Sequence, residues 1–577
     1  MAKKEIHFEV FNRHGAKGAW TLHDVTATRE TALKMAAELM AGEKATGVKV
    51  VKETYDSDTG DYLTLKIFED GHTKMKVDPA AEDMPDALPC FKPDDLYSYH
   101  ARATLSRLLR EFLARNKITI TELIHRADCL ETLEATGSVY QHAVQKVAVA
   151  QAASTAVPVQ QIIKSLNDLA TKAIHRVYRD AKRNYFPHAK VGEFGALADK
   201  LAGESDGSYV FNGTLARHLA DGQSWHEKLV MLLAVMQEAP AGGPGHRLLL
   251  GAVDNLVAEI LAGSAALRDL IGESENLGQA MLVLVGLFLG DVSPGGDTSA
   301  GLASLAEKFA EDHLPKARIA IANRIIAELK STRRLCPASL FDELTLLRRI
   351  ANRLVLGDRS YMSHENLIAA FTLRSRRLVA QDSINEYIGQ ITAPDAKFER
   401  LLQVEENIIG ADNKRQLANS LQQILASKAF EAHFLTGQAP VMMRLKRLAE
   451  LQACVRRSNF QDNHRVEFAD TLDQIANDVE SRGKVLKALY DNLPGPAERA
   501  LAILKLCANG ALTEGRMTAK ARDIILATLR QPGFLTGYLA KTRSTEAGDS
   551  ERAIVELVQM LDSAGISRET GLKSIAA

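Results

Sequence analysis

The sequence predicts a mainly α protein. It places a small α+β domain, an antiparallel sheet plus one helix, ahead of a large all-α multi-helix body that fits either an irregular solenoid or a multi-bundle array. Three observations carry this. Apolar residues alternate with period two only in the first 78 residues. Residues 79–94 hold four prolines and one basic residue, a composition that reads as an extended acidic linker. From there onward apolar residues recur at helical spacing. The expected domains are therefore residues 1–78, a linker at 79–94 that should be open to proteolysis, and a helical body over 95–577, in which two or more subdomains fit.

Within the first part, Ile6, Phe8 and Val10 alternate with His7 and Glu9, which predicts a half-buried strand over Glu5–Phe11. Gly15 and Gly18 supply a turn, and a second strand is expected over Trp20–Val25. Thr28 is placed to cap a helix reaching about Lys44, with Leu33, Ala36, Ala37 and Met40 on its inner face. Val48–Tyr55 is rich in β-formers. After the Ser57–Asp61 turn, Leu63, Leu65 and Ile67 share one face of a further strand. Asp70-Gly71 is a hairpin signal leading to a last strand over His72–Val77.

In the body, Leu105, Leu108, Leu109 and Phe112 form one stripe, and Thr121 is expected to open the next helix. Val159–Tyr178 and Leu340–Val355 carry further stripes. Ordinary helix and loop lengths predict about twenty helices. The run Leu277–Gly290 is apolar throughout but has only 14 residues, too few for a membrane span, so a buried core helix is expected. Pro187, Pro240 and Pro294 are spaced by 53 and 54 residues, but the spacing is not sustained and matches no repeat consensus.

The chain has 577 residues, 46% hydrophobic and 25% charged, which excludes a fibrous, a largely disordered or a multi-span membrane protein. Lys plus Arg is 71 against 72 for Asp plus Glu, so no global field draws it to nucleic acid or an anionic membrane. The five cysteines are far apart, which argues against a disulfide framework or zinc site and for a reducing, cytoplasmic setting. The first residues have no apolar core of a signal peptide.

Local motifs for chemistry are weak. Ala241–Arg247 is glycine-rich but lacks the phosphate-loop pattern and follows a helix. His218, Asp221, His226 and Glu227 cluster at one corner without an established metal spacing. Glu405 and Glu406 are adjacent on a helix, point about 100° apart and read as a solvated face. No catalytic residue, metal or cofactor is therefore expected.

One segment stands apart. Between Lys316 and Arg377 there are 13 basic residues against 5 acidic, a net charge of +8, and 11 of the 13 are arginine. Arginine forks onto carboxylate or phosphate where lysine acts as a point charge. The candidate binding residues are Arg333, Arg334, Arg348, Arg349, Arg353, Arg374, Arg376 and Arg377. Helical geometry puts Arg349 and Arg353 one turn apart, opposite Leu340, Leu344 and Leu347, so both are expected to face outward. Arg374 falls in line with Leu367, Phe371 and Leu378 and is expected to meet a buried acid. Such a face pairs with acidic surface of the same chain, with an acidic protein partner, or, less readily without aromatic interleaving, with nucleic acid. The leading expectation is a non-catalytic cytoplasmic scaffold or adaptor that binds proteins. The alternatives are a signalling regulator that takes a nucleotide or nucleic acid on the Arg-rich face, and an enzyme whose site is assembled from distant helices.

Overall fold

Alternating residues in the N-terminal part build four antiparallel strands. In the computed structural model, which describes residues 6–14, 20–42, 45–56, 61–70, 87–155, 157–291, 300–357, 360–541 and 547–576, these are β1 (Ile6–Arg13), β2 (Thr21–Thr26), β3 (Gly47–Asp56) and β4 (Asp61–Asp70), in the order β2-β1-β3-β4. A single helix, α1 (Arg29–Ala41), lies between β2 and β3 in sequence. The predicted period is seen in the packing: Phe8 and Val10 of β1 and Val48 and Val50 of β3 are buried on one face. Thr28 caps α1 as expected, its side chain accepting from the Thr31 amide. The inner face of α1 differs by about one position from expectation. Ala32, Ala36 and Leu39 are the buried residues, Ala37 is exposed, and Leu33 and Met40 pack at the flanks. Small alanines let the helix backbone approach the sheet, and the longer side chains wedge in from the sides. The strand expected over His72–Val77 lies outside the described residues.

The free edge of β4 is covered. Between Phe68 and Lys66 the register against β3 slips by one residue at Ile67. The Ile67 carbonyl accepts from Ser363 Oγ (3.0 Å), and the Lys66 carbonyl accepts from Asn366 Nδ2 (2.7 Å). Both donors sit at the start of the helix His364–Leu378, where Glu365 also pairs with Arg29 of α1. Edge carbonyls that would template another strand are thereby occupied.

Residues 79–86 of the expected linker lie outside the described residues. Its second half is tied to the helices rather than free: Gln151 Nε2 donates to the Ala87 carbonyl (3.2 Å) and Arg176 pairs with Asp94 (2.7 Å). Asp95 accepts from the amides of Phe91 and Lys92, and a 3-10 turn follows over Pro93–Tyr97.

Beyond the linker the protein is helical, and with α1 the described residues form 29 α-helices. The number exceeds expectation because apolar stripes run through breaks. The Leu105–Phe112 stripe is shared by Tyr99–Leu108 and Arg110–Asn116, with Leu109 at the joint. The next helix is a single turn, Ile120–Leu123, and Thr119, not Thr121, caps it. The chain divides into two compact units, Met1–Pro337 with Leu346–Phe371, and Ala338–Thr345 with Thr372–Ala577. In the first, the helix Gly243–Ala262 is the central element and packs on Phe194–Leu201, Trp225–Met236 and Pro315–Lys330. The apolar run becomes the helix Leu277–Leu289, a core helix as expected, with eight residues buried and the rest half-buried. Among the described residues no single helix is long and apolar enough to cross a membrane.

In the second unit, helical hairpins stack in a row. Their first helices are Pro394–Glu405, Val441–Arg457, Pro496–Ala508 and Ala547–Ser563. The second helices, Ala411–Leu425, Asp462–Gly483, Arg516–Leu529 and Arg568–Ala576, each touch the next in line. Three first helices open at a proline (Pro394, Pro440, Pro496), which presets φ where the missing amide costs nothing.

Buried and half-buried carboxylates recur as pins between helices. Glu238 accepts from the amides of Gly192 and Phe194, and Asp254 from those of Lys316 and Ala317. In the second unit Asp473 accepts from Arg516 and Met517, and Glu480 from Val485 and Leu486. Each acid thus satisfies orphan amides at the N-terminus of another helix, where the helix dipole favours negative charge. Glu405 is also a buried carboxylate, held by a lysine and a loop amide rather than a helix N-terminus, and it corrects the expectation of a solvated face. It is fully buried, pairs with Lys414 and accepts from the Asn459 amide (3.2 Å).

Candidate functional site

The eight candidate arginines do not form one exposed face. Arg333, Arg334, Arg348, Arg349 and Arg353 belong to the first unit, and Arg374, Arg376 and Arg377 to the second. Arg333 pairs with Glu328 (2.5 Å), an acid that also holds Arg324 (2.6 Å). Arg348, Arg349 and Arg376 are exposed, and Arg334 and Arg377 are half-buried. Arg353 corrects the expected outward pair. It pairs with Asp291 and donates from Nη1 to the Leu282 carbonyl (3.4 Å), because the end of the helix Leu277–Leu289 lies within its reach. Arg374 is 2% exposed and meets Glu343, itself 1% exposed, at 3.6 Å. This is the buried acid expected for it, and it removes Arg374 from any binding face. Arg318 of the same segment is also internal, donating to the carbonyls of Phe288 (2.9 Å) and Phe309 (3.2 Å).

These placements give a direct test. Arg349→Glu should change stability by less than about 0.5 kcal/mol, as an exposed substitution does. Arg353→Glu should cost about 1 kcal/mol more, because it sets a carboxylate against Asp291 and the Leu282 carbonyl. Urea midpoints of the two variants compared with the parent read the difference.

The histidine corner is explained by local structure. Ser224 and Glu227 cap the helix Trp225–Met236, the Glu227 carboxylate accepting from the Gln223 amide (2.7 Å). The His218 ring packs on Phe194 at 5.1 Å between centroids. Among the described residues no group of three or more His, Cys, Asp or Glu is placed to hold a metal.

Two features that sequence reasoning did not single out meet at the one-turn helix Ile120–Leu123 in the first unit. The first is an aromatic cluster of Tyr97, His125, Phe186 and Tyr209 with neighbouring centroids 5.1–5.8 Å apart. Arg176 lies 3.8 Å over the Tyr209 ring, and the Tyr209 hydroxyl donates to Asp180 (2.8 Å). His125 is 3% exposed, and its Nδ1 lies 2.7 Å from the Thr121 carbonyl. A carbonyl only accepts, so Nδ1 carries the proton and Nε2 is a lone pair with no partner among the described residues. Burial pushes the imidazole down to about 4, against the Thr121 hydrogen bond that favours its charged form.

This shift couples folding to pH. Between about 6.5 and 4 the unfolded chain binds a proton at His125 that the folded chain does not. Stability from this site is therefore complete above that window and falls as pH drops through it, by on the order of 3 kcal/mol at the acid end. His125→Gln should flatten the fall in urea midpoint between pH 7 and pH 4 relative to the parent.

The second feature is a cavity of about 270 Å³ lined in part by Thr119 and Ile120. Four of its lining residues are basic (Arg102, Arg107, Arg110 and Lys316) and one is acidic (Glu259). Glu259 is engaged by the Thr121 amide (3.1 Å), the Thr121 hydroxyl (2.8 Å) and Arg102 Nη1 (3.2 Å). Burial raises the affinity of Glu259 for a proton, with Arg102 and Thr121 opposing. Apolar side chains such as Ile120, Ile260 and Ile319 line the remaining wall. The basic residues come from helices more than a hundred positions apart, so no local motif announces the cavity. The only sequence signal is the basic bias of Arg102 to Lys117, with five basic residues and Glu111 as the sole acid.

Comparison with known protein families, with curated proteins and with solved structures finds no match to this chain.

Proposed function

We propose that this chain is a non-catalytic helical scaffold that binds other proteins along the stacked hairpins of its second unit. The observation that carries this reading is the row itself. Stacked hairpins contact only their neighbours and leave an extended series of outer helix faces. Those faces carry large apolar side chains in water: Met443 is 63% exposed, Val466 58% and Val555 55%. The five free cysteines support a reducing, cytoplasmic setting. The alternative of nucleic-acid binding by the Arg-rich segment draws little support, since Arg318, Arg353 and Arg374 are engaged inside the chain.

The test is crosslinking of the natively purified protein with its partners, read by mass spectrometry. Partner crosslinks should map to residues 394–576. Met443→Asp with Val466→Asp should lower partner recovery without moving the unfolding midpoint, because both side chains are outside the core. Recovery equal to the parent, or crosslinks confined to the first unit, would remove the hairpin row as the binding surface.

A further inference from the structure

We infer that the tip of the hairpin formed by the helices Val139–Ser154 and Val159–Lys182 is a self-association face, on which two copies of this chain pair about a two-fold axis. It lies in the first unit and is independent of the scaffold reading. The base of the hairpin is tied to the body. Ala143 and Val177 are buried there with Leu113, Leu130 and Leu133, and Val139, Tyr140, Ile174 and Tyr178 pack around them. Toward the tip the two helices pack on each other, and Ala148, Ile162 and Leu169 are buried.

What the tip leaves in water is unlike the rest of the hairpin. Among the described residues of 138–161 twelve are exposed, and Lys146 is the only Lys, Arg, Asp or Glu of the twelve. The next twelve exposed residues, between 164 and 185, include six such groups. Water-facing positions normally carry the charges of a soluble chain, whereas the centre of a protein interface is depleted in them. Two of the exposed side chains are large and apolar: Val149 is 59% exposed and Val157 40%. Helical spacing sets His142, Gln145, Val149 and Ala153 along one side of the first helix, and all four are exposed.

The composition points to a second copy as the occupant. The face has no set of charges to meet an acidic or a basic protein, and for the same reason it does not repel its own copy. Its exposed amides are those of Gln141, Gln145, Gln160 and Gln161. Each both donates and accepts, so a glutamine on one copy satisfies a glutamine on the other. A two-fold axis brings the same patch from both sides, valine and alanine on their like and amide on amide. The size also fits. The 16 residues of Val139–Ser154 span about 24 Å, and each helix is about 10 Å across. Two helices side by side then offer about 480 Å² per copy, or about 1,000 Å² in the pair, the lower end for a specific interface. A lipid surface fits less well, because residues 138–161 hold no tryptophan or phenylalanine and a single basic side chain.

Sedimentation velocity of the full-length protein from about 1 µM to about 100 µM covers the affinities an interface of this size supports. Expected is a monomer–dimer equilibrium that follows concentration and holds as salt is raised, since no ion pair carries the contact. A lysine-reactive crosslinker should join Lys146 of one copy to Lys146 of the other, a link that only two chains can make. Val149→Glu should weaken the dimer about tenfold or more by setting a charge into the contact, and Gln145→Glu with Ala153→Glu should do the same. Neither variant should move the unfolding midpoint of the monomer, since all three side chains are exposed. Lys172→Glu, on the charged half of the same hairpin, should leave the dimer as it is. A monomer at every concentration, a dimer that survives both charged variants, a dimer without the Lys146 link, or one that dissociates in salt would each overturn the inference. So would a monomer that floats with phosphatidylcholine vesicles and loses them on Val149→Glu, which would assign the face to lipid.

Discussion

Replacing Arg374 with alanine should destabilise the second unit by about 3–5 kcal/mol, among the largest losses a single change in this chain can cause. The reason is the company Glu343 keeps. It is 1% exposed and faces an arginine that is 2% exposed, with 3.6 Å between Nη1 and Oε1. Removing one partner takes the opposite charge from the other inside the core, while the pair itself adds little net stability because both ions have been taken from water. The same argument predicts the rescue. Arg374→Leu combined with Glu343→Leu should lose less than either single leucine variant, since no uncompensated charge remains. Urea unfolding followed by far-ultraviolet circular dichroism gives all the values. A loss below about 1 kcal/mol for Arg374→Ala would mean that water reaches Glu343 and that the pair is not a core element.

Arg374 also shows what a sequence can reveal about such a site. Its place in line with Leu367, Phe371 and Leu378 announces burial, and all three leucine and phenylalanine neighbours are buried. Its partner, Glu343, lies on the preceding helix, Leu340–Leu356, and periodicity alone does not name it. The same limit applies to Arg353. Its helical angle points away from Leu344 and Leu347, yet Asp291, 62 positions earlier, draws the side chain back to a neighbouring helix. Net charge over a segment is legible, but pairing with distant acids is not, and that is why the pairs of Arg353 and Arg374 were not visible in the Arg-rich stretch while Arg348, Arg349 and Arg376 stay exposed.

The N-terminal module was more transparent, because strand alternation and a threonine cap are local rules. Even there the helix face shifted, since the choice between Ala32 and Leu33 depends on how closely the sheet approaches. The hairpin row had a sequence signal in Pro394, Pro440 and Pro496 at the starts of successive hairpins, whereas Pro187 and Pro240 open no helix. The carboxylate pins could not be read at all. Asp254, Asp473 and Glu480 answer to backbone amides, which every residue has, so no residue pattern marks the partner. The basic cavity is hidden for a related reason: its cations meet only after the Tyr99–Leu108, Gly243–Ala262 and Pro315–Lys330 helices have packed.

Leu284→Asp should cost about 4 kcal/mol or more and leave little folded protein at physiological temperature. Leu284 is 4% exposed on the helix Leu277–Leu289, and Met281, Val285, Leu287 and Phe288 around it are as deeply buried. Truncation to alanine at such a site already costs about 2–5 kcal/mol through lost apolar burial and the cavity left behind. Aspartate adds a carboxylate among apolar side chains, and the helix amides at that depth are spent on the helix itself. The two changes therefore separate the terms: Leu284→Ala measures packing, and the further loss in Leu284→Asp measures the buried charge. That further loss should shrink at low pH, where the introduced carboxyl is protonated and only a neutral polar group is buried. Urea unfolding of both variants at pH 7 and pH 4.5, each against the parent at the same pH, reads this directly. A stable Leu284→Asp protein that leaves a membrane fraction in which the parent resides would instead identify the helix as an anchor, an outcome its 13 residues argue against.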